Sequence, residues 1–215
     1  MLYSPAMARI RKLTARTIAA ALDELAARDA DIARAIGEVG YPEPRIREPG
    51  FGTFVDIIVG QQVSTHAARA IRGRLAEAAK PLTPETLLAL DDAALRAVGL
   101  SRRKMEYCRL LAADVRDGRF DPDGLHRLAD EGVMEAIVAR KGLGRWSAEI
   151  YMLFALGRAD TWPADDLAVM VAVQRLKGLA ERPNRAAMDE IAEAWRPHRG
   201  MVALLMWHHY NNAAL

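Results

Sequence analysis

Between residues 141 and 166 the chain reads KGLGRWSAEIYMLFALGRADTWPADD. Two kinds of chemistry meet in this stretch. Gly142 and Gly144 form a Gly-x-Gly turn ahead of an apolar helix. Glycine adopts backbone angles closed to other residues and leaves no side chain over nearby N–H groups. N–H groups at a helix start form an anion site suited to a phosphate. Arg140, Lys141 and Arg145 surround this turn in the sequence. Asp166 then offers a carboxylate at an expected helix start. A phosphate clamp and a carboxylate on one short unit point to chemistry on a nucleic acid.

Each of these residues also has a plain structural reading. A Gly-x-Gly by itself is equally a helix end followed by a tight turn. Its context, VARKGLGRWSAEIYML, has apolar residues on both sides of the turn, as two packed helices require. Asp165 or Asp166 by itself could merely cap the helix LAVMVAVQRL. The four tryptophans, Trp146, Trp162, Trp195 and Trp207, each have core packing as their ordinary fate. Gln61-Gln62 reads as a polar pair between two helices. SRRKMEY (101–107) puts three cations at a helix start, the wrong end for stabilising them. Either a phosphate partner or a solvated basic face accounts for that. The five histidines show no metal-ligand spacing.

The elements that must position these groups are helical throughout. Apolar residues recur at three- and four-residue spacing, and Ala, Leu, Arg and Glu dominate. The pattern predicts helices over 14–27, 29–38, 51–61, 64–79, 84–89, 92–97, 101–117, 131–139, 144–156, 166–176, 186–195 and 199–210. Thr83-Pro84, Asp91 and Ser101 read as helix starts. Gly99, Gly118 and Gly178 suit helix ends. No run alternates apolar and polar residues, so the expected class is all-α. The Pro- and Gly-rich YPEPRIREPG (41–50) joins an N-terminal helical arm to the next helices. The arm, 1–50, is expected to pack with a C-terminal segment, 161–215; 51–160 forms the central subdomain.

The chain has 215 residues, 51% of them hydrophobic, enough to bury a sizeable core. Its net charge of +2, from 30 basic and 28 acidic residues, does not mark a nucleic-acid binder. Any DNA contact must come from local placement. With Cys108 as the only cysteine, a disulfide within one chain and a four-cysteine iron–sulfur or zinc site are excluded. No apolar run approaches the ~18 residues of a membrane span. The N-terminus MLYSPAMARIRKLTAR lacks the apolar core of a signal peptide, which makes a cytoplasmic setting the expectation.

Residues 141–166, with FGTFVDIIVGQQVS (51–64), GLSRRKMEYCRLLA (99–112) and WRPHRGMVALLMW (195–207), resemble the helix-hairpin-helix DNA glycosylases, most closely the alkylpurine (3-methyladenine) branch. The resemblance covers about 45–212. It implies two α-helical subdomains flanking an active-site cleft and a monomeric bacterial-type enzyme. The partner it implies is double-stranded DNA containing damaged bases, and the setting is the nucleoid. Some relatives carry a further β-rich domain ahead of this core, and the short leader is expected to hold none.

The resemblance implies a role for each candidate. Gly142 and Gly144, beside Arg145, contact DNA phosphates, and hairpin carbonyls can hold a monovalent cation. No other cofactor is expected. Gln62 matches the residue inserted into the gap left by the extruded nucleotide. Asp166 matches the catalytic aspartate, with Asp165 as its capping or orienting neighbour. An anion there stabilises the oxocarbenium-like sugar formed as the N-glycosidic bond breaks, or positions and deprotonates water. Trp146 and Trp207 match base-binding aromatics. An N3- or N7-alkylated purine is cationic, and stacking it on indole is favourable by roughly 0.5–2 kcal/mol. One further family aromatic position is Ile150 here, and the adjacent Tyr151 is the candidate base-pocket aromatic in its place. Strand-cutting relatives have lysine where this chain has Trp146, so base removal without strand scission is expected. Two rivals stand beside this reading: a glycosylase for oxidised or deaminated bases, and a non-catalytic DNA-binding module.

Overall fold

The computed structural model describes residues 13–213. The leader MLYSPAMARIRK, on which the signal-peptide reading rests, lies outside the described residues. Among the described residues there are twelve α-helices, one 3₁₀ turn over Gly124–Arg127 and no strand. The helices are α1 (Ala15–Ala26), α2 (Ala30–Val39), α3 (Phe51–Gly60), α4 (Thr65–Ala78), α5 (Pro84–Ala89) and α6 (Asp92–Ala97). They continue as α7 (Arg102–Arg116), α8 (Asp130–Val138), α9 (Arg145–Phe154), α10 (Leu167–Leu176), α11 (Arg185–Glu193) and α12 (Arg199–Asn212). Every expected helix is present, with its ends no more than two residues from the predicted ones. Only the 3₁₀ turn went unanticipated.

Local chemistry accounts for that agreement. Thr83 and Thr86 form a reciprocal capping box with Pro84 at the first helical position. Asp91 accepts from the Ala94 N–H at 2.8 Å, and Ser101 from Lys104 at 3.4 Å. Gly99 and Gly178, with φ of +99° and +61°, end their helices in the region that glycine enters most easily.

The chain forms two compact units, one of residues 13–46 with 152–213, the other of 47–151. In the first, Ile18, Leu22 and Leu25 of α1, Ile32 of α2 and Val173 of α10 are fully buried. Trp162 and Trp195 pack edge to face at 5.4 Å. The Trp195 indole N–H donates to Asp29 at 2.9 Å, and the Trp162 N–H to the Met188 carbonyl. Both tryptophans are thus core residues. Helix α12 is buried from Gly200 to Trp207 with no polar stripe in that stretch, as befits a helix surrounded by others. In the second unit, α3 contributes Phe54, Val55, Ile57, Ile58 and Val59 to the core. Phe54 stacks on Tyr151 at 4.0 Å and meets Phe120 edge-on at 5.2 Å.

Candidate active site

The Gly-x-Gly turn lies between α8 and α9. Gly142 has φ +89°, and a Cβ there would run into the Tyr107 ring, so only glycine fits. Gly144 differs. Its backbone is unstrained and a Cβ would meet nothing within 4 Å. Nothing in the protein itself therefore requires glycine at 144. The Gly142 carbonyl accepts a hydrogen bond from the Gln61 side-chain amide at 2.8 Å. That bond ties the hairpin to the turn after α3. Gln62, next in that turn, is exposed and, at φ +54°, is the one non-glycine residue with a positive φ among those described. Such a backbone is costly for glutamine, and strain of this kind gathers at functional turns.

The cations around the hairpin are already engaged. Arg140 pairs with Asp114 at 3.0 Å, Lys141 with Glu106 at 2.6 Å and Arg145 with Glu149 at 2.9 Å. The Lys141 pair is exposed on both sides, so exchanging its partner for a phosphate costs little. In the basic run 101–107, Lys104 turns inward and donates to the Val59 carbonyl at 2.7 Å, closing the end of α3. The basic-face reading therefore applies to Arg102 and Arg103, both exposed.

Asp166 and Trp207 come together in the first unit. Asp166 is the N-cap of α10; its Oδ1 accepts from the backbone N–H groups of Ala168 at 3.0 Å and Val169 at 3.1 Å. The same oxygen accepts from the Trp207 indole N–H at 3.0 Å. Three donors thus fix the carboxylate's orientation. Trp207 is 7% exposed and its ring lies 5.4 Å from that of Phe154. A brace holds the preceding loop to α12. Asp160 binds the Arg199 guanidinium at 3.0 Å and Arg196 at 2.6 Å. The Gly200 N–H donates to the Ala159 carbonyl at 2.9 Å, and a Cβ on Gly200 would clash with that oxygen.

Residues 55–197 match the family described as HhH-GPD superfamily base excision DNA repair protein. That stretch is about two thirds of the chain. The protein belongs to this superfamily. It is 29% identical over 165 residues to DNA-3-methyladenine glycosylase 1 of Schizosaccharomyces pombe, covering 75% of this chain and 72% of that one. A structure of the S. pombe 3-methyladenine DNA glycosylase Mag1 with abasic DNA superposes with a TM-score of 0.80 at 28% identity, covering 87% and 95%. A DNA-3-methyladenine glycosidase from Bacillus halodurans gives 0.75 at 31%, covering 88% of each chain. Across the first three curated relatives it matches, the chain spans 43% to 72% of their length.

Within this HhH-GPD chain, two sequence expectations need correction. Asp165 was expected to cap α10 or orient its neighbour. Asp166 itself is the cap, and Asp165 is exposed and paired with Arg185. Tyr151 was expected to line a base site. It is 0% exposed, its ring stacks on Phe54, and its hydroxyl accepts from the Gly50 N–H at 3.0 Å. Burial pushes the Tyr151 hydroxyl up to about 12. A base could reach that ring only if the core opened. Trp146 is half-buried near the start of α9, in the other unit from Trp207. Sequence reading missed Gln61 as a tether and the Asp160–Arg199 brace. Neither had a motif to flag it, because each acts through a partner far along the chain.

Proposed function

We propose that this HhH-GPD protein is a monofunctional DNA glycosylase that hydrolyses the N-glycosidic bond of alkylated purines, 3-methyladenine above all, in duplex DNA. The observation that carries this is Asp166, oriented by two backbone N–H groups and the Trp207 indole. An anion held in this way is preorganised for the positive charge that develops on the sugar as the base departs. A non-catalytic DNA-binding module would need Asp166 only as the cap of α10, and the Asp166→Asn test below separates the two. The names of the relatives support the alkylpurine substrate. Gly142 and Gly144 are assigned to DNA phosphate, with Arg145 beside them, and Gln62 to the gap left by the extruded nucleotide. Trp146 keeps its assigned contact with the base.

The reading as monofunctional rests on Trp146, which stands where strand-cutting relatives have lysine. A Schiff-base route needs an unprotonated amine. Glu106 pairs with Lys141 and raises its pKa. Burial lowers the Lys104 pKa, but its ammonium is tied to the Val59 carbonyl at the end of α3. Burial pushes the Cys108 thiol up to about 12, which leaves it inert. The reaction we propose needs water and Asp166 but no cofactor. A monovalent cation at the hairpin would share carbonyls already in use, Gly142's with Gln61 and Arg140's with the Leu143 N–H. Each has a second lone pair to offer. We place the protein in the cytoplasm, acting as a monomer on DNA; among the described residues no helix is long and apolar enough to cross a membrane.

The deciding experiment uses duplexes that each carry one defined lesion, with alkali added after incubation to cut abasic sites. Alkylated purines are expected to be released fastest, the strand to stay intact before alkali, and borohydride to trap no protein–DNA adduct. Faster release of oxidised pyrimidines, or a trapped adduct, would overturn the assignment.

Trp207→Phe separates the indole N–H from the ring. A hydrogen bond to a charged acceptor is worth about 1.5–3 kcal/mol. Excision of every lesion should therefore fall about ten-fold or more. The melting temperature should fall much less than in Trp207→Ala, which empties a core site. Unchanged rates in Trp207→Phe would show that the bond to Asp166 has no part in catalysis.

A further inference from the structure

Trp207 carries a second contact besides Asp166. The Arg45 guanidinium lies over its ring, with the central carbon 5.9 Å from the centroid. That is within cation–π range. Arg45 sits in the loop YPEPRIREPG, and the residue as a whole is exposed. Crowding of the guanidinium away from water lowers its pKa, and the nearby Asp166 carboxylate works against that shift. Arginine keeps its proton in proteins. The candidate site thus already holds one positive charge on the indole where a cationic base is expected to stack.

We infer that Arg45 sets the charge preference of this site: its guanidinium, held at the Trp207 ring, repels a positively charged base and so offsets part of that base's cation–π gain, while a neutral purine meets no such repulsion. The inference rests on the reading of Asp166 and Trp207 given above, and it deepens that reading by naming the substrate class. An alkylated purine brings its own positive charge, which already weakens its glycosidic bond, and it can be lost without the strongest stacking. A neutral purine such as hypoxanthine has no such help. A site that withholds part of the cation–π gain from charged bases treats the two classes more evenly. Arg45 therefore widens the lesion range toward neutral purines at the expense of the fastest release of cationic ones.

The test compares single-turnover excision of 7-methylguanine and of hypoxanthine from otherwise identical duplexes. The variants are Arg45→Gln, Arg45→Lys and Asp166→Asn, with melting curves for each. Arg45 is exposed, so Arg45→Gln is expected to fold. Its cationic-to-neutral rate ratio should rise by about 2- to 30-fold, the span of one cation–π contact. Arg45→Lys keeps the charge and should stay near the wild-type ratio. An unchanged or lower ratio in Arg45→Gln, with Asp166→Asn inactive, overturns the proposal and leaves the site reading standing. A uniform loss of affinity for all DNA, with the salt slope reduced by about 1, would make Arg45 a phosphate contact and also overturn it. Wild-type excision by Asp166→Asn would sink the site reading, and this proposal with it.

Discussion

Asp166→Asn should lose base excision by a factor of about 100 or more, the scale of removing one preorganised electrostatic group from an active site. It should retain its fold and its binding to lesion-containing DNA. The geometry makes this substitution unusually clean. Asparagine is as good an N-cap as aspartate, and its side-chain oxygen can accept from Ala168, Val169 and Trp207 as Oδ1 does now. The charge disappears, and the other carboxylate oxygen becomes an amide NH₂. Asp166→Ala, by contrast, should also lose about 1 kcal/mol of stability with the cap. The measurements are single-turnover release from a 7-methylguanine duplex and a melting curve for each variant. An active Asp166→Asn protein would reduce Asp166 to a capping residue and remove the foundation of the proposed chemistry.

Gly144→Val is expected to weaken binding to any duplex, damaged or not, by about 10- to 100-fold, the worth of one or two hydrogen bonds to a charged phosphate. Nothing within 4 Å opposes a Cβ at Gly144, so the variant should fold, with a modest loss of stability because valine caps α9 less well than glycine. Gly142 offers no such test. Its positive φ and the Tyr107 ring mean that a side chain there would damage the hairpin itself. Affinity should be measured by titration at several salt concentrations. Wild-type binding should fall steeply with salt because counterions are released from the DNA. The loss in Gly144→Val should be the same for lesion and undamaged duplexes, since phosphate contacts carry no base information. Full affinity in a folded Gly144→Val protein would remove the hairpin from the DNA contact.

These two tests differ in how visible their residues were beforehand. Gly144 and Asp166 announce themselves by type and spacing, in a Gly-x-Gly turn and a carboxylate before an apolar helix. Their surroundings do not. Tyr151 shows the limit: its place beside Ile150 suggested a base-pocket aromatic, but stacking on Phe54 and the hydroxyl bond to Gly50 make it core. Which face of α9 is covered depends on elements distant in the chain, and no local pattern of residues specifies them.

The sequence by itself determined the all-α class, every α-helix to within two residues at each end, the hairpin glycines and the candidate carboxylate. Caps, proline positions and apolar periodicity act within a few residues, so they can be read from neighbours alone. Only the tertiary structure decided what those groups touch. The Trp207 bond to Asp166 joins residues 41 apart, the Gln61 bond to Gly142 joins residues 81 apart, and the Tyr151 hydroxyl meets Gly50 across 101. Arg45 reaches Trp207 from the far end of the chain. Such contacts follow from how buried faces pack, which is a property of the whole apolar surface and not of any one segment. The carboxylate could be found in the sequence; the indole that orients it and the arginine that shares that indole required the fold.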